Sequence, residues 1–228
     1  MAQFAIGLTD TVMLGWYGVE ALAAVTLAST YFFVLFLLGA GFGFAVMPMV
    51  AAAAGAGEDR QIRRCTRMGL WLSLAYGLII MPMFVFARPI LDILGHEPVI
   101  AEMAASYLRV AGWGVFPALL VMVLKSYLAA LERTQIVLWV TIGAAVTNAA
   151  VNYALIFGNW GAPELGVRGA AIASVSTQVV SFVAIIIYAL KALPEHELLK
   201  NFWRPDWEML REVFRLGIPI GLTPLSEV

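Results

Sequence analysis

Residues 21–54 read ALAAVTLASTYFFVLFLLGAGFGFAVMPMVAAAA, a stretch without one charged residue. A helix facing water needs a polar side, and this run has none. It also exceeds the ~20 apolar residues that cross a bilayer. A straight helix of that length would reach ~51 Å, so it must tilt, bend or project beyond the lipid. Gly39, Gly41, Gly43 and Pro48 are the expected bending points, and the Gly39/Gly43 spacing also suits close helix packing. Two spans would need ~40 residues, so the run counts as one.

The rest of the chain follows the same pattern. Hydrophobic residues make up 62% of the 228 and charged residues 13%, against roughly 45–50% and ~25% in soluble domains. Net charge is −1, which leaves no electrostatic footprint for nucleic acid. A single cysteine, Cys65, excludes an internal disulfide framework. His96 and His196 fall in expected loops without ligand-like spacing. Further apolar runs cover Met1–Trp16, Met68–Ala87, Ser106–Ala130, Ile136–Phe157 and Gly169–Leu190, and a seventh begins at Leu216. The expectation is an all-α polytopic membrane protein. The first run spans only ~24 Å as a helix and the last is cut mid-run, so both ends read as truncated.

Basic residues set the expected orientation. The even connections carry Arg60, Arg63, Arg64 and Arg67, then Lys125 and Arg133, then Lys191, Lys200, Arg204, Arg211 and Arg215. The odd connections carry only Arg88, Arg109 and Arg168. The positive-inside rule therefore places the even connections and the N-terminal side in the cytoplasm. Cys65, among the arginines of the first even connection, is expected to meet thiol reagents from that side. In the longest connection Trp207, Leu210 and Phe214 alternate with Arg211, Glu212 and Arg215, a pattern suited to an amphipathic helix in the headgroup layer. Trp160 and Trp203 read as interfacial anchors. The resulting division is residues 1–190 as six spans, 191–215 as a cytoplasmic connection and 216–228 as the start of a second lobe.

Against that apolar background the polar residues are informative. Asp10 is the one charge in the first run, and a carboxylate at mid-bilayer costs at least ~2.5–3.5 kcal/mol on insertion scales. Such residues serve as ion sites, proton relays or counter-charges to a substrate. Glu227 stands in a similar setting, and Gly7-Leu8-Thr9-Asp10 is faintly echoed by Gly221-Leu222-Thr223 and Ser226-Glu227. A six-helix offset between the two would suit a parallel repeat. Asn148 and Asn152 share one helix face, and Ser174, Ser176, Thr177 and Gln178 interrupt the sixth run. Together an acid, amides and a hydroxyl make an oxygen-rich shell for a small cation; polar glue between helices is the alternative. Tyr31, Phe32 and Phe33 are candidates for lining a substrate pocket, or for ordinary packing. No His-Glu-x-x-His, Gly-x-Ser-x-Gly or Walker-type loop is present, so no enzymatic function is expected.

Four stretches resemble the multidrug and toxic compound extrusion (MATE) family, in particular its NorM-like bacterial branch. They are Thr9-Asp10-Thr11-Val12-Met13, Pro48-Met49-Val50 through Gly55-Ala56-Gly57, Gly161-Ala162-Pro163-Glu164-Leu165-Gly166, and Arg215-Leu216-Gly217-Ile218-Pro219 leading to Glu227. The resemblance implies a twelve-helix transporter of two six-helix lobes, of which this chain is the N-lobe and the start of helix seven, the C-terminal lobe being missing. It implies export of cationic amphipathic drugs through the bacterial inner membrane, with Na⁺ or H⁺ as coupling ion and no other cofactor. By position Asp10 matches the functional helix-one aspartate, Asn148 a helix-five asparagine of the N-lobe cation site, and Ser174 a helix-six threonine. A Na⁺ would thus meet Asp10, Asn148, Asn152 and Ser174. Asn152 stands where some archaeal members have aspartate, Ile6 where they have tyrosine, and Glu227 matches the C-lobe glutamate of the NorM-like branch. Rival readings are a lipid-linked sugar flippase of the same superfamily, disfavoured by the lack of a central Lys or Arg, and the membrane anchor of an enzyme or sensor.

Overall fold

In the computed structural model the backbone is described from Ala2 to Glu227, and the side chains of residues 7–224 and 226. Every regular element among these residues is helical, as expected where lipid cannot satisfy backbone N–H and C=O groups. The order is α1 (Ala2–Tyr17), α2 (Val19–Gly55), α3 (Asp59–Val85), α4 (Ala87–Ile93), α5 (Pro98–Ala111), α6 (Val115–Ala130), α7 (Thr134–Phe157), α8 (Val167–Ala192) and α9 (Trp207–Leu222). Short 3₁₀ turns cover Gly112–Gly114, Pro194–His196 and Pro224–Glu227. Among the described residues five helices are long and apolar enough to cross a membrane: α2, α3, the continuous stretch Pro98–Ala130, α7 and α8. The uncharged run is indeed one helix, α2, with Pro48 inside it.

Hydropathy misses helical turns that carry charge. The third helix begins at Asp59, so Arg60, Arg63, Arg64 and Arg67 lie on its first turns and not in a loop. The fourth span starts at Pro98, where a proline at the first helical position costs no hydrogen bond. Helix α4, held by an Arg88–Asp92 pair at 2.9 Å, lies in a stretch read as a connection. Residues 207–215 and the start of the seventh run form one unbroken helix, α9, which corrects the picture of a separate amphipathic strap. Asp206 starts that helix by accepting a hydrogen bond from the Met209 backbone N–H at 3.1 Å.

The chain divides into two compact units. One comprises Met1–Phe33, Ile80–Val115 and Thr141–Ser181; the other comprises Val34–Ile79, Phe116–Val140 and Phe182–Val228. The second unit holds a large apolar core that includes Val46, Met68, Leu124, Tyr127, Ile185 and Val213. Met209, Val213, Gly217 and Gly221 form the buried stripe of α9. A Cβ on Gly41 would collide with the Gly217 carbonyl and come within 2.6 Å of the Gly221 backbone nitrogen. Gly41 is therefore a point of close helix approach.

In the same unit the segment 196–206 is clamped onto one face of α3. Arg64 donates from Nε to Asp206 at 2.5 Å and from Nη2 to Asp206 at 3.1 Å and Glu208 at 3.0 Å. Arg63 pairs with Glu197 at 2.9 Å, Arg67 donates to the Asn201 carbonyl at 3.1 Å, and Trp71 donates to the Phe202 carbonyl at 2.8 Å. His196, expected in a loop, is 5% exposed and lies 2.5 Å from the Tyr127 hydroxyl through Nδ1. Cys65 is also buried, 3% exposed and 3.5 Å from the Met209 sulfur, so it is no open target for thiol reagents. The reason is its position on the helix face that α9 covers, which the surrounding arginines conceal in the sequence.

Candidate functional site

The first unit contains the polar residues expected to act. Asp10 stands on α1, two helical turns before the end at Tyr17. Asn148 and Asn152 lie one turn apart on α7 and are fully buried. Asn152 donates from Nδ2 to Asp10 Oδ1 and to Asn148 Oδ1, the latter at 3.2 Å. The amide of Asn148 and the Oδ1 of Asn152 are buried without a hydrogen-bond partner. An orphaned buried carbonyl oxygen normally costs about 1–3 kcal/mol, and here it belongs to the amide whose Nδ2 meets the Asp10 carboxylate. Oxygen donors of this kind, one charged and the rest neutral, suit a hard monovalent cation. Thr147 turns away and donates to the Gly143 carbonyl at 2.9 Å.

The α1 end of the site is held in place by the loop before α8. Gly166 has a left-handed backbone, φ 54°, and a Cβ there would sit 2.8 Å from the Tyr17 hydroxyl. A glycine at this place serves both the turn and the close approach. The last residue of Gly161-Ala162-Pro163-Glu164-Leu165-Gly166 thus lets the loop pack against the end of the helix that carries Asp10.

A cavity of about 410 Å³ opens beside Asp10, lined by Thr11, Thr26, Ser29, Thr30 and Phe33 among others. A second, of about 190 Å³, is lined by Ser29, Phe32, Phe33, Tyr107, Ser174 and Gln178. Ser174 is not a member of the Asp10–Asn152–Asn148 chain of hydrogen bonds; its hydroxyl lies 3.3 Å from that of buried Tyr107. Thr177 donates to the Ala173 carbonyl of its own helix. Of the three aromatics, Phe33 lines both cavities and Phe32 the smaller one, where its ring also packs 5.5 Å from Phe84. Tyr31 serves packing: its hydroxyl donates to the Met83 carbonyl at 2.8 Å and its ring meets Phe84 edge-on. The Glu227 side chain lies outside the described residues.

Sequence reasoning missed Tyr107, Thr26, Ser29 and Thr30. The three α2 residues recur at i, i+3 and i+4 in an otherwise uncharged run, a signal open to inspection. Tyr107 carried none, since a tyrosine near the start of a span also reads as an interfacial anchor.

Comparison with known proteins agrees with the all-helical fold. The MatE family model matches residues 1–154. A probable multidrug resistance protein NorM of Rhizobium meliloti is 46% identical over the whole chain, which covers 49% of that protein. Its counterpart from Agrobacterium fabrum is 44% identical, again over the whole chain and 50% of the relative. A crystal structure of a MATE protein in the bent conformation superposes with a TM-score of 0.85 at 26% identity, over 99% of this chain and 50% of that one. The chain spans about half the length of the curated relatives it matches.

Proposed function

The chain belongs to the MatE family, and from that premise we propose that it forms the N-terminal half of an antiporter exporting cationic amphipathic drugs or toxins in exchange for Na⁺ or H⁺. It is a multi-pass membrane protein by its five apolar spans. The distribution of basic residues supports placement in the bacterial inner membrane with the N-terminal side in the cytoplasm. The missing partner is a second lobe, against which this one rocks in alternating access.

One observation carries the reading: Asp10 lines a cavity, and the side chain that donates to it, Asn152, is a neutral amide. No fixed cation neutralises the carboxylate among the described residues. Its charge is therefore available to a mobile partner, either the coupling ion or the substrate, but not both at once. That competition is what an exchanger requires. The donor set, Asp10 with the amide oxygens of Asn148 and Asn152, would hold a single monovalent ion; a divalent ion would be left under-neutralised.

The test is efflux of a fluorescent cation such as ethidium from cells expressing the complete gene product. Asp10→Asn keeps shape and membrane insertion but removes the charge, and export is expected to fall to background at equal membrane expression. Wild-type export by Asp10→Asn would remove the carboxylate from the mechanism and with it this reading of the site.

A further inference from the structure

Three sulfur-bearing side chains line one cavity of the second unit, away from the unit that holds Asp10. The cavity has a volume of about 310 Å³, and its wall includes Met49 of α2, Cys65 of α3 and Met209 of α9. Met49, Ala53 and Ala56 follow at helical spacing on one face of α2, as do Met209 and Glu212 on α9. The small alanines leave the space that the larger side chains border.

Cys65 and Met209 are 3% and 5% exposed. The Cys65 thiol donates to the Met209 thioether, with the two sulfurs 3.5 Å apart. Thiolate and thioether together are the soft donors that Cu(I) and similar ions select. With metal–sulfur bonds of about 2.3 Å, two sulfurs on a three-coordinate ion stand about 4 Å apart. A small turn of the flexible methionine side chain opens the pair to that spacing. Charge then selects the valence. A thiolate with one monovalent ion is neutral and suits so buried a pair, whereas a divalent ion would leave a net charge there. Glu58 and Glu212, both exposed, border the same cavity and place negative charge where a cation would enter. A bare ion also needs far less room than an organic thiol reagent.

We infer that Cys65 and Met209, with Met49 as third ligand, form a binding site for a soft monovalent metal ion such as Cu(I) or Ag(I). Binding is a ligand exchange without electron transfer. The Cys65 S–H bond breaks, its proton passes to water, and the sulfur electron pair forms the bond to the metal. The ion takes the place of the thiol hydrogen between the two sulfurs and joins α3 to α9.

The experiment titrates the purified complete gene product with silver nitrate in chloride-free buffer, beside Cys65→Ser and Met209→Leu. After desalting, the wild type is expected to retain one silver ion per molecule more than Cys65→Ser. It should release one proton for that ion and melt at a higher temperature with it bound, as a ligand of the folded state requires. Met209→Leu keeps the side-chain volume and should weaken retention of that ion at least about tenfold. Equal retention by the wild type and Cys65→Ser would overturn the inference, as would unchanged affinity in Met209→Leu. X-ray absorption on the wild type loaded with one equivalent of silver reads the ligands without any variant. Sulfur neighbours are expected, and a shell of nitrogen and oxygen alone would overturn the assignment.

Discussion

Asp10–Asn152 and Arg64–Asp206 each join side chains 142 positions apart in the sequence, yet they answer the problem of a charge in an apolar protein in opposite ways. Arg64 is met by two carboxylates and a glutamine oxygen, and both partners of its closest pair are about four-fifths covered. The guanidinium fork fits the Asp206 carboxylate with two donors, the geometry in which such pairs are strongest. Asp206 is held well below the usual carboxylate range, chiefly by its hydrogen bond to Arg64 and further by the Met209 N–H that it caps. Both charges of this pair are compensated from within the chain. Asp10, in contrast, is met by a neutral amide and open space. A compensated charge holds helices together, whereas an uncompensated one waits for a partner from outside. Burial alone does not separate structure from function; the nature of the partner does.

The comparison breaks most sharply if the amide beside Asp10 turns out to be mere glue. Asn152→Leu fills the space but removes the donor to Asp10 and the orphaned oxygen. Hydrogen bonds to a charged group contribute roughly 1.5–3 kcal/mol, so export is expected to fall about tenfold or more, with little loss of thermal stability. Ethidium efflux and a melting curve in detergent on the same preparation check this. A variant that melts early and exports normally would place Asn152 with the packing residues.

Arg64→Ala is expected to do the reverse. It strands Asp206 and frees the segment before α9, at a cost of about 1–3 kcal/mol after allowing for partial exposure. Export per folded molecule should stay within about twofold, since a structural pair lowers the amount of folded protein and not its turnover. Thermal unfolding and normalised efflux are the measurements. Normal stability with lost export would mean that the clamp takes part in transport.

The smallest effect is one of pH. A carboxyl whose folded value lies below its unfolded one stabilises the fold fully above the unfolded value, ~3.9 for aspartate, and loses that contribution as pH falls through the folded value. For Asp206 the window therefore lies below about pH 4. Asp206→Asn should lower stability at pH 7 and flatten the stability curve through that acid window. A wild-type slope in the variant would show that the Asp206–Arg64 pair does not carry the acid dependence.

The helices and the acid were legible because each rests on local chemistry. An uncharged run over Ala21–Ala54 has one stable outcome in lipid, and the spacing of Asn148 and Asn152 places them on one face whatever surrounds them. The partnership of Ser174 was not legible, since either a carboxylate on α1 or the Tyr107 hydroxyl could take its hydrogen bond. The arginines at the start of α3 were read as part of a connection, because their partners, residues 197–208, lay far along the chain.

Sequence by itself determined that this is an all-helical membrane protein of the MatE family, with a lone carboxylate in its first apolar run and two amides on its fifth. Tertiary structure alone decided which of those polar groups meet, and that Cys65 and His196 are buried. The physical reason is range. Hydropathy and helix periodicity act within a few residues, whereas a hydrogen bond chooses among every partner that folding brings within about 3 Å.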